Sequence, residues 1–325
     1  MRSRNFEKYM ILENLLIEPI KEIRKNYFES KQLSGYSNQD QTTSVFSEKW
    51  NKMNTRVEIG KINAFQKNWF YTLYGFANEA DFKSFLSDKS VILDAGSGLG
   101  YKAAWMAELA PHARVIGMDF SESGAEASEF YGHIENLTFI RGDIADTGLK
   151  ASSVDFVLCD QVIMHTEYPD MTFKHLTEIT KSNGSFATYV YAKKALPREL
   201  LDDHFRVRTH ELSNEQLWEM SQQLTELGKR LAELEVQLDI PEIPLLGIKG
   251  GQQDLQRFIY WNFIKCFWNP ELGKDISDAT NFDWYSPSNA KRFSKEEFTE
   301  LINSNHLTTD YFHTEEACFS GRFRK

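Results

Sequence analysis

Val91-Ile92-Leu93-Asp94-Ala95-Gly96-Ser97-Gly98-Leu99-Gly100 is the stretch on which the fold turns. A short apolar run enters a glycine-rich turn, and Tyr101–Ala110 then follows a helical pattern. Downstream the same alternation repeats. RVIGMD (114–119) reads as a strand and SESGAEASEFY (121–131) as a helix with Ser121 as its cap. LTFIR (137–141) and VDFVLCD (154–160) are further strands. Pro169 opens a helix running to about Lys181, Gly184 stops it, and SFATYVY (185–191) is a fifth strand. Strands alternating with helices argue a parallel sheet with crossover helices.

Outside this block the pattern changes. Residues 1–88 show no strand signal and read as a helical N-terminal cap: Phe6, Tyr9, Met10, Leu15 and Leu16 can share a helical face, broken at Pro19. Ser34–Ser44 is polar and reads as a loop, followed by recurrent aromatics at Phe46, Trp50, Phe65, Trp69 and Phe70. Residues 195–289 interrupt the sheet as an inserted helical lid. There Ser213 and Gln216 form a capping box, and Leu217, Met220, Leu224, Leu227, Leu231, Leu234 and Leu238 recur at heptad steps. That row either packs the insertion on itself or joins two copies as a homodimer. Gly228 should weaken this helix by roughly 1 kcal/mol relative to Ala. Residues 290–325 resume the sheet domain of 89–194 with a helix from Ser294 to Asn303, whose SKEE start fits a capping box, and two closing strands.

Glycines after the first strand remove Cβ atoms, so a bound nucleoside can approach the backbone. Two acids sharpen this reading. Asp119 ends the second strand where a carboxylate can accept ribose hydroxyls, or else it caps the next helix. Asp143 follows the third strand and suits an adenine amino group, or else it is a turn residue. A dinucleotide-binding loop reads G-x-G-x-x-G, but here Tyr101 stands where the last glycine would fall. A cofactor with an amino group and a sulfonium suits acids such as Asp94 better than a pyrophosphate would.

VILDAGSGLG, the Asp119 strand end, GDI (142–144) and DFVLCDQVIMHT (155–166) resemble the successive motifs of class I S-adenosylmethionine (SAM)-dependent methyltransferases. The helix and strand pair after Ser294 resemble that family's C-terminal end. The resemblance implies an α/β, Rossmann-like, seven-stranded mostly parallel sheet with helices on both faces and a final antiparallel strand. It implies SAM as cofactor and S-adenosylhomocysteine as product. The implied cofactor set is Asp94, Ala95, Gly96, Gly98, Asp119, Phe120, Asp143, Ile144, Asp160 and Gln161. In it Asp94 and Gly96 lie near the methionine moiety, Asp119 at the ribose, Asp143 and Ile144 at the adenine, and Asp160 near the methyl group.

Ligands of open α/β sheets bind outside the carboxyl ends of the strands. Gln161, His165, Tyr189 and Tyr191 fall there. His165 is the candidate base, since an imidazole titrates near neutral pH, and otherwise it lines the pocket. Tyr191 is the second candidate catalytic residue and otherwise belongs to the core. The candidate acceptor-binding residues are Arg198, Arg206, Trp261, Trp284 and Tyr285. An arginine can hold a carboxylate or phosphate bidentately, and the aromatics either wall a pocket or pack the lid. Rival readings are transfer of a different group and a non-catalytic SAM-binding scaffold.

The chain's 325 residues are 41% hydrophobic, enough for a sizeable core. A net charge of −10 argues against a nucleic-acid partner. No run of 18 apolar residues suggests a membrane span, and the charged N-terminus is not a secretion signal. The three cysteines show neither a disulfide framework nor a zinc spacing, so no metal is expected. The sequence therefore reads as a cytoplasmic enzyme acting on a small molecule.

Overall fold

The computed structural model describes residues 12–30, 37–52 and 56–325. It divides into two compact units. The first contains the chain up to Ser37, Ile62–Tyr191 and Phe293–Lys325, and the second contains Asn38–Lys61 and Ala192–Arg292. Phe6, Tyr9, Met10 and the Trp50 side chain lie outside the described residues.

The first unit is built on one sheet. Its strands are β1 (Lys21–Arg24), β2 (Tyr27–Glu29), β3 (Val91–Ala95), β4 (Arg114–Asp119), β5 (Leu137–Arg141), β6 (Val154–Cys159) and β7 (Thr180–Ala192). The second unit adds a separate hairpin, β8 (Gln237–Ile240) with β9 (Gly251–Asp254), and the sheet resumes with β10 (Arg292–Phe293), β11 (Thr308–Thr314) and β12 (Cys318–Arg324). The spatial order is β1-β2-β5-β4-β3-β6-β7-β12-β11, with β10 also pairing β7. The run from β5 to β11 has seven strands, within a sheet larger than the seven expected. β3, β4, β5, β6 and β7 are parallel, and β12 pairs antiparallel to β7.

Two corrections concern the N-terminal region. The first 88 residues do hold strands: β2 adds in parallel to β5, and β1 pairs antiparallel to β2, bringing this sheet to ten strands among the described residues. Their apolar content is too small to show as a pattern, because β1 is wholly exposed and β2 has three residues. Asn26, at φ 62°, makes the turn between them, a conformation asparagine tolerates better than most residues. The second correction concerns Ser34–Ser44. Residues 37–44 are helical, within Ser37–Lys52. The polar side chains that suggested a loop hold the chain at 286–289. Gln41 donates to the Ser286 carbonyl (2.8 Å) and accepts from Ser288 N (2.7 Å), and Thr42 Oγ1 accepts from Asn289 N (3.0 Å).

Helices Arg56–Tyr74 and Glu79–Leu86, with Phe76 in the turn between them, bring Phe70, Tyr74, Phe76 and Phe82 into the buried core of the first unit. Phe70 and Phe82 both pack on Trp105 of the helix after the glycine loop, with centroids 5.2 and 4.9 Å away.

In the second unit helix Asn214–Glu233 carries the expected capping box and lies on helix Gly273–Tyr285, where Trp218 stacks on Phe282 at 4.2 Å. The buried stripe is Leu217, Trp218, Ser221, Leu224, Thr225 and Gly228. The heptad row is not one helical face along its whole length: the helix ends at Glu233 and Leu238 lies in β8, while Leu227 and Leu234 are exposed. Gly228 has a packing reason, since a Cβ there would overlap the Cys266 carbonyl oxygen. No helix among the described residues is long and apolar enough to cross a membrane.

Candidate active site

Every strand that points a candidate residue at the site does so from its carboxyl end. β3 is buried along its length and runs into the loop Gly96–Gly100. Gly96, Gly98 and Gly100 all have left-handed φ (86°, 49° and 79°), and a Cβ on Gly96 would overlap Val162. The turn is pinned to the end of β4, because Gly96 N and Ser97 N both donate to the Met118 carbonyl (2.7 and 2.9 Å).

Asp119 continues that anchoring. Its Oδ2 accepts from Gly98 N (2.8 Å), and its Oδ1 accepts from Ser121 N and Ser121 Oγ (2.9 and 2.6 Å). Ser121 stands one residue ahead of the N-cap position, and its Oγ also accepts from Ser123 N (3.3 Å), the first helical amide. The helix begins at Ser123, and the preceding Glu122 makes no side-chain capping bond. Asp119 does not cap that helix either. It ties the glycine loop to the loop holding Phe120, and Oδ2 keeps a second lone-pair direction for a further donor. Asp143 accepts from Ala145 N (2.8 Å) in a turn beyond β5, with Ile144 buried beside it.

A buried charge cluster sits at the ends of β3 and β6. Asp94 is 3% exposed, and its Oδ2 has no hydrogen-bond partner. Burial pushes its carboxyl up to about 7; Lys102 pulls it down, while Asp160 and Asp119 add to the rise. Asp160 is also buried. Its Oδ2 meets Lys102 Nζ at 2.5 Å and Gln161 Nε2 at 3.3 Å, and its Oδ1 accepts from Tyr74 Oη at 2.6 Å. Burial, reinforced by Asp160, pushes the Tyr74 phenol well above its usual value, so it stays a donor. Gln161 has φ 64°, a left-handed conformation that costs a non-glycine residue roughly 1–2 kcal/mol and is typical of functional turns. Tyr74 and Lys102 were not singled out from sequence. Lys102 sits in the first turn of the helix after the loop, a position that could have been noticed. Tyr74 comes from a helix more than eighty residues before Asp160 and carries no local signal.

Beyond this cluster, His165 lies in a short 3-10 turn after β6 and is 6% exposed. Its Nε2 is 3.4 Å from Tyr191 Oη on β7, and the two rings meet edge to face. Tyr189 packs on Tyr191 and on Trp69, extending an aromatic row along the same edge. The first unit thus brings together the glycine loop, Asp94, Asp119, Asp160, Gln161, His165 and Tyr191.

The acceptor-binding candidates belong to the second unit, where most are engaged with one another. Arg198 is 1% exposed; its Nε bonds Asp202 Oδ2 at 2.8 Å and its Nη1 bonds the Tyr260 carbonyl. Asp202 also accepts from Trp284 Nε1 (2.7 Å) and Tyr285 Oη (2.8 Å). The Arg198 guanidinium lies over the rings of Trp284 and Tyr260 (5.2 and 5.4 Å). Arg206 differs. Its Nη1 bonds the carbonyls of Trp284 (2.5 Å) and Pro287 (3.4 Å), but Nε and Nη2 are buried without a partner. Burial, with Arg292 nearby, lowers its guanidinium to about 10. Trp261 is partly exposed, with Lys194 Nζ 5.6 Å from its ring centroid.

One grouping was not anticipated. His313, Glu315 and Cys318 converge at the turn between β11 and β12, with a donor atom from each within 4.8 Å of the others. The spacing H-x-E-x-x-C is present in the sequence, but only the hairpin register turns it into a cluster.

A methyltransferase-domain family matches residues 86–256 of the chain. No curated protein matches it significantly. Among solved structures the chain is similar to the magnesium protoporphyrin IX methyltransferase ChlM of Synechocystis PCC 6803 with bound S-adenosylhomocysteine. That likeness has 15% identity and a TM-score of 0.45, covering 88% of this chain and 98% of that one. It is similar to a SAM-dependent methyltransferase from Aquifex aeolicus at 13% identity and a TM-score of 0.42, covering 81% and 96%. It is also similar to the YcgJ protein of Bacillus at 15% identity and a TM-score of 0.39, covering 71% and 68%. Likenesses this distant carry nothing about the acceptor.

Proposed function

Because the chain belongs to the methyltransferase-domain family and uses SAM as its cofactor, we propose that it methylates a small-molecule acceptor and releases S-adenosylhomocysteine. The observation that carries this reading is the buried, unpartnered Oδ2 of Asp94 beside Lys102 and Asp160. A buried carboxylate oxygen without a partner is costly, and a cationic cofactor group, such as the α-ammonium of SAM, would relieve that cost. The residues present therefore fit the cofactor.

SAM supplies an electrophilic methyl on a sulfonium, and the chain's own residues do the positioning. Asp94, Ala95, Gly96 and Gly98 would hold the methionine part. Asp119 and Phe120 would take the ribose, and Asp143 with Ile144 the adenine. Asp160 and Gln161 would face the methyl-bearing sulfur. Holding reactants in line can supply roughly 7–11 kcal/mol without any covalent chemistry by the protein. His165 would accept a proton from a hydroxyl or ammonium acceptor, with Tyr191 orienting its ring. On the acceptor side Arg206 is the strongest candidate, because its unpartnered Nε–Nη2 edge suits a carboxylate or phosphate. Arg198, Trp261, Trp284 and Tyr285 would shape its surroundings, and residues 195–289 would serve as the lid.

The test is direct. The protein is incubated with SAM and fractionated metabolite extracts, and S-adenosylhomocysteine and new methylated masses are followed together. The expected outcome is both, in equal amounts. A product carrying a group other than methyl, or SAM binding with no turnover on any fraction, would replace the proposal with one of its rivals.

A further inference from the structure

We propose that His313, Glu315 and Cys318 form a divalent metal site, suited to Zn²⁺, at the acceptor end of the sheet. Imidazole nitrogen, carboxylate oxygen and thiolate are the three donor types zinc takes, and three protein ligands leave a fourth position open.

The hairpin holds the donors on one face. His313 pairs with Ser320 and Thr314 with Phe319, and Glu315 N donates to the Cys318 carbonyl at 3.1 Å. Residues 313, 315 and 318 therefore project to the same side of the ladder, since side chains alternate along a strand. Glu315 Oε2 is 3.2 Å from His313 Nε2, and Glu315 Oε1 is 3.5 Å from Cys318 Sγ. Ligands on a tetrahedral zinc with bonds of 2.0–2.3 Å stand about 3.3–3.8 Å apart. Each Glu315 oxygen thus stands close to ligand spacing from one of the other two donors. The third separation, His313 to Cys318, lies within 4.8 Å. Cys318 is buried while His313 and Glu315 are partly exposed, so the site has a dry thiolate end and an open entry. Binding converts the Cys318 S–H to a thiolate and releases its proton to solvent.

The location gives the metal a use. Cys318 is directly opposite Tyr191 in the β12–β7 ladder, and Tyr191 reaches His165. A metal there, with one open position, would take the acceptor's sulfur, nitrogen or oxygen atom and lower its pKa. This role rests on the proposed methyltransferase reading, whereas metal binding does not.

Co²⁺ is the probe, because a cobalt–thiolate bond gives a near-ultraviolet charge-transfer band that aqueous cobalt lacks. Metal-stripped full-length protein is titrated with Co²⁺ and then with Zn²⁺. The expected result is one equivalent of Co²⁺, a charge-transfer band, and its displacement by Zn²⁺. Cys318→Ser should abolish the band, and His313→Ala should abolish tight uptake. Both variants are checked for folding by thermal melting and S-adenosylhomocysteine binding. Should either variant fail to fold, Glu315→Gln, which keeps the side-chain size, should still weaken uptake. No stoichiometric uptake by the wild type, or a band that survives in Cys318→Ser, would overturn the site and leave the cluster a hydrogen-bonded hairpin turn. Uptake without any effect of Zn²⁺ on methyl transfer would overturn the acceptor role alone.

Discussion

Lowering the pH should weaken cofactor binding through Asp94, and the size of the effect can be worked from its environment. The Asp94 carboxyl, buried and pushed up to about 7, is largely protonated in the free protein below that pH. The ammonium group of S-adenosylhomocysteine prefers the ionised form, so binding must expel a proton. Affinity should therefore hold near pH 8 and fall as pH drops through 7, approaching tenfold per unit. At pH 5.5, about 1.5 units below, the loss is roughly thirtyfold, or about 2 kcal/mol. Asp94→Asn removes both the charge and the titration, so its affinity should be lower at pH 8 by roughly 1.5–3 kcal/mol and nearly flat with pH. Calorimetry with S-adenosylhomocysteine in two buffers of different ionisation enthalpy measures affinity and proton release together. A wild-type affinity unchanged from pH 8 to 5.5, or the same slope in Asp94→Asn, would refute the role given to Asp94.

The same carboxyl has a stability consequence. Its folded pKa is raised above the ordinary aspartate value of 3.8, so the stability it lends is present below pH 3.8 and lost as pH rises through 7. Asp94→Asn should accordingly be more stable than wild type without ligand, by up to about 4 kcal/mol at pH 8, in denaturant titrations at several pH values. Asp202→Ala should destabilise the second unit by roughly 3–5 kcal/mol, because it leaves the buried Arg198 charge uncompensated; urea unfolding checks this. Gly228→Ala should cost about 1–3 kcal/mol despite alanine's better helix propensity, since the new methyl meets the Cys266 carbonyl; a melting temperature at or above wild type would contradict the close approach. His165→Ala should lower kcat by 10²–10⁴-fold while S-adenosylhomocysteine affinity stays within a few-fold. A variant with near-normal turnover across pH would make His165 a pocket-lining residue.

The sequence by itself determined the features that depend on local backbone demands or on short periodicities. The glycine turn after Val91–Ala95, the acids at the ends of successive strands and the capping boxes at Ser213 and Ser294 all declare themselves within a few residues. The five parallel strands β3 to β7 followed, because buried parallel strands are apolar along their length and stop at turns that need glycine or polar caps. Only the tertiary structure decided what depends on distant partners. β2 has too few apolar residues to read as a strand and becomes one by adding to β5. The polar run from Ser37 is a helix because its amides and hydroxyls bond a segment almost 250 residues later. Arg198, Trp284 and Tyr285 look from sequence like groups waiting for a ligand, yet folding aims all three at Asp202. Tyr74 and Lys102 reach Asp160 from separate helices, and His313, Glu315 and Cys318 meet only once the β11–β12 register is set. The physical reason is common to all of these: residue type and spacing encode local conformation, but a side chain's partner is chosen by burial, which brings distant polar groups together and obliges them to satisfy one another.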